Sequence, residues 1–231
     1  MAFASYTALS CWRRVGRIFF ILLLLYCCKF IFVIHNSYEV IFMDYKKYQK
    51  SRNMSWEILL KENVRELPVN IVELCYKLGI AVKYYDKLEQ GNDGKCTVIN
   101  NQPIIFIRKD CNRQRKRFTI AHELGHIMLG HVGQYELINR EISPNDNPIE
   151  QEANVFASRL LAPACVLWGL EVKSADEISQ ICDISLIAAE YRWQRLQKLY
   201  KRNKFLVAPL EREVYKQFQN FILSHQHQVN P

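Results

Sequence analysis

No two of the eight cysteines, Cys11, Cys27, Cys28, Cys75, Cys96, Cys111, Cys165 and Cys182, stand at CxxC spacing, which argues against a zinc ribbon or a dithiol redox site. Three of them fall in an apolar N-terminal stretch. The other five are scattered and odd in number, which fits small buried hydrophobes in a reducing compartment better than a disulfide framework. The folded part therefore reads as cytoplasmic. No internal repeat and no low-complexity tract occur, and strands do not alternate with helices as a βαβ fold requires. Nor is there a block of one charge: the net +8 is spread along 231 residues, with Lys and Arg interleaved with acids. Such a distribution favours anionic partners only weakly and does not by itself indicate nucleic acid.

The N-terminus carries the one long apolar run, "IFFILLLLYCCKFIFVI", residues 18–34, after Arg13, Arg14 and Arg17 and interrupted by Lys29. It lies at the lower limit for spanning a bilayer, and no small-residue cleavage site follows it, so it reads as a signal anchor rather than a removed signal peptide. Lys46, Lys47, Lys50 and Arg52 follow the run, and the positive-inside rule gives no clear orientation. The competing reading places the start at Met43, where the composition turns abruptly helix-forming. Under the first reading the folded part is tethered to a membrane through residues 18–34; under the second it is not.

From Met43 onward the pattern is helical, with Trp56, Ile58, Leu59, Leu60 and Val64 as apolar positions, and Pro68 restarts the chain. A second helix over about Asn70 to Lys77 is closed by Gly79. "GIAVKYYD" reads as a strand, and "CTVINNQPIIFIRK" as two strands joined at Asn100-Asn101. Helices over Asn112 to about Gly130 and about Pro148 to Leu161 follow, the second ended by Pro163. Further on, Ser174 caps a short helix that Asp183 breaks, and Ser185 caps a longer one, in helix-turn-helix outline. A last amphipathic helix, about Pro209 to Leu223, carries Leu210, Val214, Phe218, Phe221 and Ile222 on one side, and His225 and His227 beyond it read as a disordered tail. The expected class is α+β: a small antiparallel three-stranded sheet packed on two central helices, with helical segments after them.

Chemistry concentrates in "RFTIAHELGHIMLGH", Arg117 to His131. His122 and His126 are four residues apart, one helical turn, and can bind one cation from the same face. In an HExxH arrangement two neutral imidazoles hold Zn²⁺, and the glutamate, here Glu123, takes a proton from water that zinc acidifies. Gly125 permits close packing beside the metal. A third ligand is expected from "PIEQEANVFASRLLAP". There Glu150 and Asn154 share a face, so Glu150 reaches the metal while Asn154 accepts from a histidine N–H; Glu152 is the alternative ligand. His131 lies five residues after His126, whereas the three-histidine class needs six with a glycine midway and a later methionine turn, which is absent. It reads instead as a helix C-terminal residue favoured by the dipole.

Together "RFTIAHELGHIMLGH", "EQEANVFASRLLAP" and "SADEISQICDISLIAAEYR" resemble the ImmA/IrrE-type zinc metallopeptidases, over roughly Asp44 to Ile222. The resemblance implies a minimal gluzincin-like fold with one Zn²⁺ per chain on His122, His126 and Glu150, and Glu123 as general base. It implies a protein substrate, a repressor of the helix-turn-helix kind encoded by a phage or integrative element. The corresponding division is residues 1–42 (apolar segment), 43–172 (metallopeptidase domain), 173–205 (helix-turn-helix-like helices) and 206–231 (C-terminal helix and tail). Tyr135, Tyr191 and Arg192 are candidates for stabilising an oxyanion or contacting substrate. A substrate strand is expected to pair with an exposed edge at "PIIFIRK". The runner-up function is a DNA-binding regulator reading phosphates through Arg192, Arg195, Lys198, Lys201 and Arg202.

Overall fold

The computed structural model describes residues 48–86, 93–132 and 147–229. The apolar segment 18–34 lies outside these residues, as does Tyr135. Among the described residues no helix is long and apolar enough to cross a membrane. The described residues all belong to one compact unit, Tyr48–Pro231.

Helix α1 (Gln49–Lys61) buries Trp56, Ile58 and Leu59, three of the expected apolar positions. Helix α2 (Ile71–Lys77) starts where Asn70 accepts from the Glu73 amide, a side-chain cap that satisfies one of the orphan donors of the first turn. Three strands follow: β1 (Ala81–Tyr85), β2 (Gly94–Ile99) and β3 (Gln102–Arg108). β2 and β3 form the expected antiparallel hairpin, with Asn100 and Asn101 both at positive φ (51° and 60°), the backbone that a two-residue hairpin turn needs and that Asn tolerates.

The sheet order is β1-β3-β2, with β1 parallel to β3. The expectation of an antiparallel sheet is therefore right for one pair and corrected for the other. β3 is the central strand, so the expectation that "PIIFIRK" offers a free edge is also corrected. The reason lies in the side chains. Ile105 and Ile107 point to one face of β3 and are wholly buried, and Ile104 on the other face is buried too, as suits a central strand. Tyr84 and Tyr85 of β1 and Val98 and Ile99 of β2 are each roughly half exposed, as suits edges.

Helix α3 (Arg113–Leu129) is capped by Asn112, whose side chain accepts from the Arg115 amide at 2.8 Å, and ends at Gly130 with φ 77°. Helix α4 (Pro148–Leu161) has proline in its first turn and Asn147 as cap. The two helices pack closely at Gly125, where an added Cβ would stand 3.0 Å from Phe156 Cδ1 and 3.3 Å from Ala153 Cα. Ile120, Ala121, Leu124, Phe156, Ala157 and Leu160 fill that contact and are buried. At Gly94, a Cβ would come within 2.5 Å of Thr119 Cγ2, so the start of β2 lies hard against α3.

Helix α5 (Ala164–Gly169) follows Pro163. Helices α6 (Ala175–Cys182) and α7 (Leu186–Lys201) are capped by Ser174 and Ser185, which accept from the Glu177 and Ala188 amides, with Asp183 at φ 51° between them. The C-terminal helix is interrupted at Phe218, giving α8 (Pro209–Gln217) and α9 (Gln219–Val229). Val214, Phe218 and Ile222 are buried, the expected apolar side. The tail is not the disordered one expected: α9 runs on through His225, whose ring lies tilted against Phe221 with centroids 4.1 Å apart. Gln226 donates to the Gly169 carbonyl, tying α9 to α5. Cys75, Cys165 and Cys182 are free and buried. Burial pushes their thiols up to about 12, so they pack as small hydrophobes.

Candidate metal centre

His122 and His126 project from one face of α3 toward α4. The His122 and His126 Nε2 atoms are 3.0 Å apart. From α4, Glu150 places Oε2 3.0 Å from His122 Nε2 and Oε1 3.6 Å from His126 Nε2. One ligand atom from each of the three residues lies within 4.8 Å of the others. Two ligands at about 2.0–2.1 Å from a tetrahedral zinc stand about 3.4 Å from each other, which is the scale of these separations. Glu150 Oε1 is buried and has no hydrogen-bond partner, and a buried carboxylate oxygen is costly unless a cation or donor reaches it. Donor types, spacing and the orphaned oxygen all fit a divalent cation with nitrogen and oxygen ligands.

Electrostatics agree. Burial alone would push the Glu150 carboxyl up, but the imidazoles of His122 and His126 outweigh it and hold it down to about 2. Burial likewise lowers His122, yet the bond to Glu150, the charges of Glu123 and Glu150 and the bond to Asn154 leave it raised. Asn154 Oδ1 lies 3.0 Å from His122 Nδ1. An amide oxygen only accepts, so His122 Nδ1 donates and a neutral ring keeps its lone pair on Nε2, directed at Glu150 and His126.

Glu123 is buried beside these residues without joining the cluster. It lies near Cys96 of β2, whose thiol is pushed far up by burial first and then by the Glu123 carboxylate. The carboxylate therefore stands between the cluster and an edge strand.

Two residues of the centre take places that sequence reasoning did not give them. His131 is 5% exposed, with Nδ1 3.1 Å from His126 Nδ1 and Nε2 3.1 Å from Glu152 Oε2. It is neither a ligand nor a dipole partner at the surface. Glu152, the alternative ligand, is occupied by His131 and stays outside the cluster. Burial holds His131 below the usual histidine range, although the bond to Glu152 works the other way. A sequence signal existed. Gly130 in the left-handed conformation makes a Schellman ending, in which the His131 amide donates to the His126 carbonyl at 2.9 Å and the Gly130 amide to that of Ile127. That motif brings the residue after the glycine against the side chain five positions earlier, here His131 against His126.

The oxyanion candidates separate. Arg192 is 2% exposed, and its Nε donates to the Ala162 carbonyl at 2.7 Å, so it braces the end of α4 from the core instead of facing a cleft. For the same reason it is no part of a basic stripe on α7. Tyr191, 71% exposed, lies on the outer surface of α7.

This fold and this centre define a metallopeptidase-like domain. The family model described as Peptidase_M78, IrrE N-terminal-like domain, matches residues 75–194, more than half of the sequence, and the chain belongs to that family. No curated protein matches it. Among solved structures it is similar to a Mycobacterium tuberculosis transcriptional regulator, at 18% identity and a TM-score of 0.43, over 61% of this chain and 46% of that one. The chain thus spans less than half the length of that structure.

Proposed function

We propose that the protein is a zinc-dependent endopeptidase that hydrolyses a peptide bond of a regulatory protein, in the anti-repressor manner, with a helix-turn-helix repressor of a mobile element as substrate class. The observation that supports this most is the convergence of His122, His126 and Glu150 on one point with a buried, unligated Glu123 beside it. A bound Zn²⁺ supplies Lewis acidity, polarising a carbonyl and bringing the pKa of water to about 7. Glu123 accepts the proton of the attacking water and returns it to the leaving amine. His122, His126 and Glu150 hold the ion, and Asn154 fixes the His122 ring.

Peptide is positioned by β2, the edge strand that touches α3, through main-chain pairing on its open side. Tyr135 and Tyr191 are the candidates for oxyanion stabilisation, and a Tyr→Phe change at each discriminates between them. The DNA-binding alternative rests on the paired helices α6 and α7, but the start of α7 exposes Leu186, Ile187 and Tyr191, not the polar side chains that read base edges.

Metal analysis tests the reading. About one zinc per chain is expected, lost on His122→Ala or Glu150→Ala and kept on Glu123→Gln. Incubation with a helix-turn-helix repressor encoded by a neighbouring gene should give a discrete cut that needs Glu123. A metal-free chain overturns the enzyme reading. A salt-dependent shift of duplex DNA that survives Glu123→Gln and is abolished by Arg195→Ala establishes the regulator instead.

A further inference from the structure

We propose that Glu152 and His131 are positioning residues that fix the tautomer and ring orientation of His126, so that α4 anchors both histidines of the centre as well as supplying the third ligand. The inference rests on the metal centre of the proposed function and assigns two residues that the HExxH pattern leaves without a role.

The direction of the relay follows by elimination. An ionised carboxylate only accepts, so at 3.1 Å from Glu152 Oε2 the His131 Nε2 carries the hydrogen. In a neutral imidazole the other nitrogen then has the lone pair. His131 Nδ1 therefore accepts, and its partner at 3.1 Å, His126 Nδ1, donates. That leaves the His126 lone pair on Nε2, the atom 3.0 Å from His122 Nε2 and 3.6 Å from Glu150 Oε1. A chain of three groups thus ends with a lone pair aimed at the cluster centre. The opposite tautomer of His126 would set two lone pairs face to face across the His126–His131 contact and turn an N–H toward the metal position.

The arrangement has a counterpart on His122, where Asn154 does in one step what His131 and Glu152 do in two. The difference has a steric cause. Glu152 lies two residues from both Glu150 and Asn154, about 200° around the helix, and cannot reach the histidine face of α3 directly. The left-handed turn at Gly130 carries His131 back over His126 and closes the gap. Metal-ligating histidines commonly donate their second nitrogen to such a partner, and losing it costs about 10–100-fold in metal affinity.

The test measures zinc affinity of the full chain by competition with a chromophoric chelator, and histidine tautomers by ¹⁵N NMR. His131→Phe keeps the ring volume and removes both nitrogens. It should weaken zinc roughly 10–100-fold, and His131→Gln, which restores an acceptor, should recover part of the loss. Glu152→Leu, at a residue a quarter exposed, should weaken zinc in the same direction and leave His126 as a mixture of tautomers in place of Nδ1–H alone. Should His131→Phe not fold, Glu152→Leu carries the test. Wild-type affinity in His131→Phe or Glu152→Leu, equal losses in the Phe and Gln variants, or an unchanged His126 tautomer in Glu152→Leu overturns the relay while leaving the zinc centre standing. Failure of the wild-type chain to bind zinc overturns the centre itself.

Discussion

The two ends of α3 carry polar clusters of opposite electrostatic kind. At its N-terminal end Arg113 and Arg117 meet one carboxylate, Asp183, at 2.7 Å and 3.2 Å, and Arg117 also donates to the Asp183 and Cys182 carbonyls. Every acceptor there faces a donor, and the cluster ties the turn between α6 and α7 to the helix of the candidate metal centre. At the C-terminal end two imidazole nitrogens and a carboxylate converge, and one carboxylate oxygen has no donor. A buried cluster completed by its own side chains holds a fold together. One that leaves a buried carboxylate oxygen without a donor is a candidate for binding a cation.

Four experiments break or sharpen this comparison. The largest effect is expected from Glu123→Gln, which should slow peptide hydrolysis by about 10²–10⁴-fold, the contribution of a general base, with zinc content unchanged in metal analysis. Next, Asp183→Ala should lower unfolding free energy by about 3 kcal/mol, because it strands the largely buried Arg117 charge. Denaturant titration of the metal-free protein reads it, and zinc affinity should hold. If both quantities fall together, the two ends are one unit.

Chelation should then act at the other end of α3. Stripping the metal should lower Tm by an amount that grows with the zinc concentration of the reference sample, while in His122→Ala a chelator should change Tm little.

The smallest effect concerns Glu211, a buried carboxyl outside both clusters. Burial raises its pKa despite backbone donors such as the Val207 amide. The folded state therefore binds the proton more tightly than the unfolded state. The associated stability is fully present below the unfolded pKa and is lost as pH rises through the folded one. Glu211→Gln, which keeps an acceptor for Val207, should raise Tm modestly at pH 7. That gain should shrink as pH is lowered across the window and disappear below the unfolded carboxylate pKa.

Much of this was legible in the sequence where the signal is local. Asn70, Ser174 and Ser185 cap the helices they precede, because capping needs only a short polar side chain two or three residues before a free amide. Asn100-Asn101 makes its hairpin for a similarly local reason. Sheet order was not legible: which strand lies in the middle depends on pairing between β1 and a strand some twenty residues on, and alternation within each strand carries no such information. Arg192 misled because a charged residue beside a basic run reads as surface, whereas the end of α4 offered the Ala162 carbonyl as a buried partner. His131 misled because a residue just past a helix-ending glycine reads as surface, whereas the left-handed turn at Gly130 lays it against His126.

The sequence by itself determined the two helices of the centre, the one-turn spacing of His122 and His126 and the shared face of Glu150 and Asn154, since these follow from 3.6 residues per turn. Only the tertiary structure decided that the two faces meet, that β2 rather than β3 is the open edge beside Glu123, and that Glu152 bonds to His131. Each of these depends on how close two distant segments come, and that distance is set by packing at Gly125 and Gly94, where the small side chain permits contact but does not name its partner.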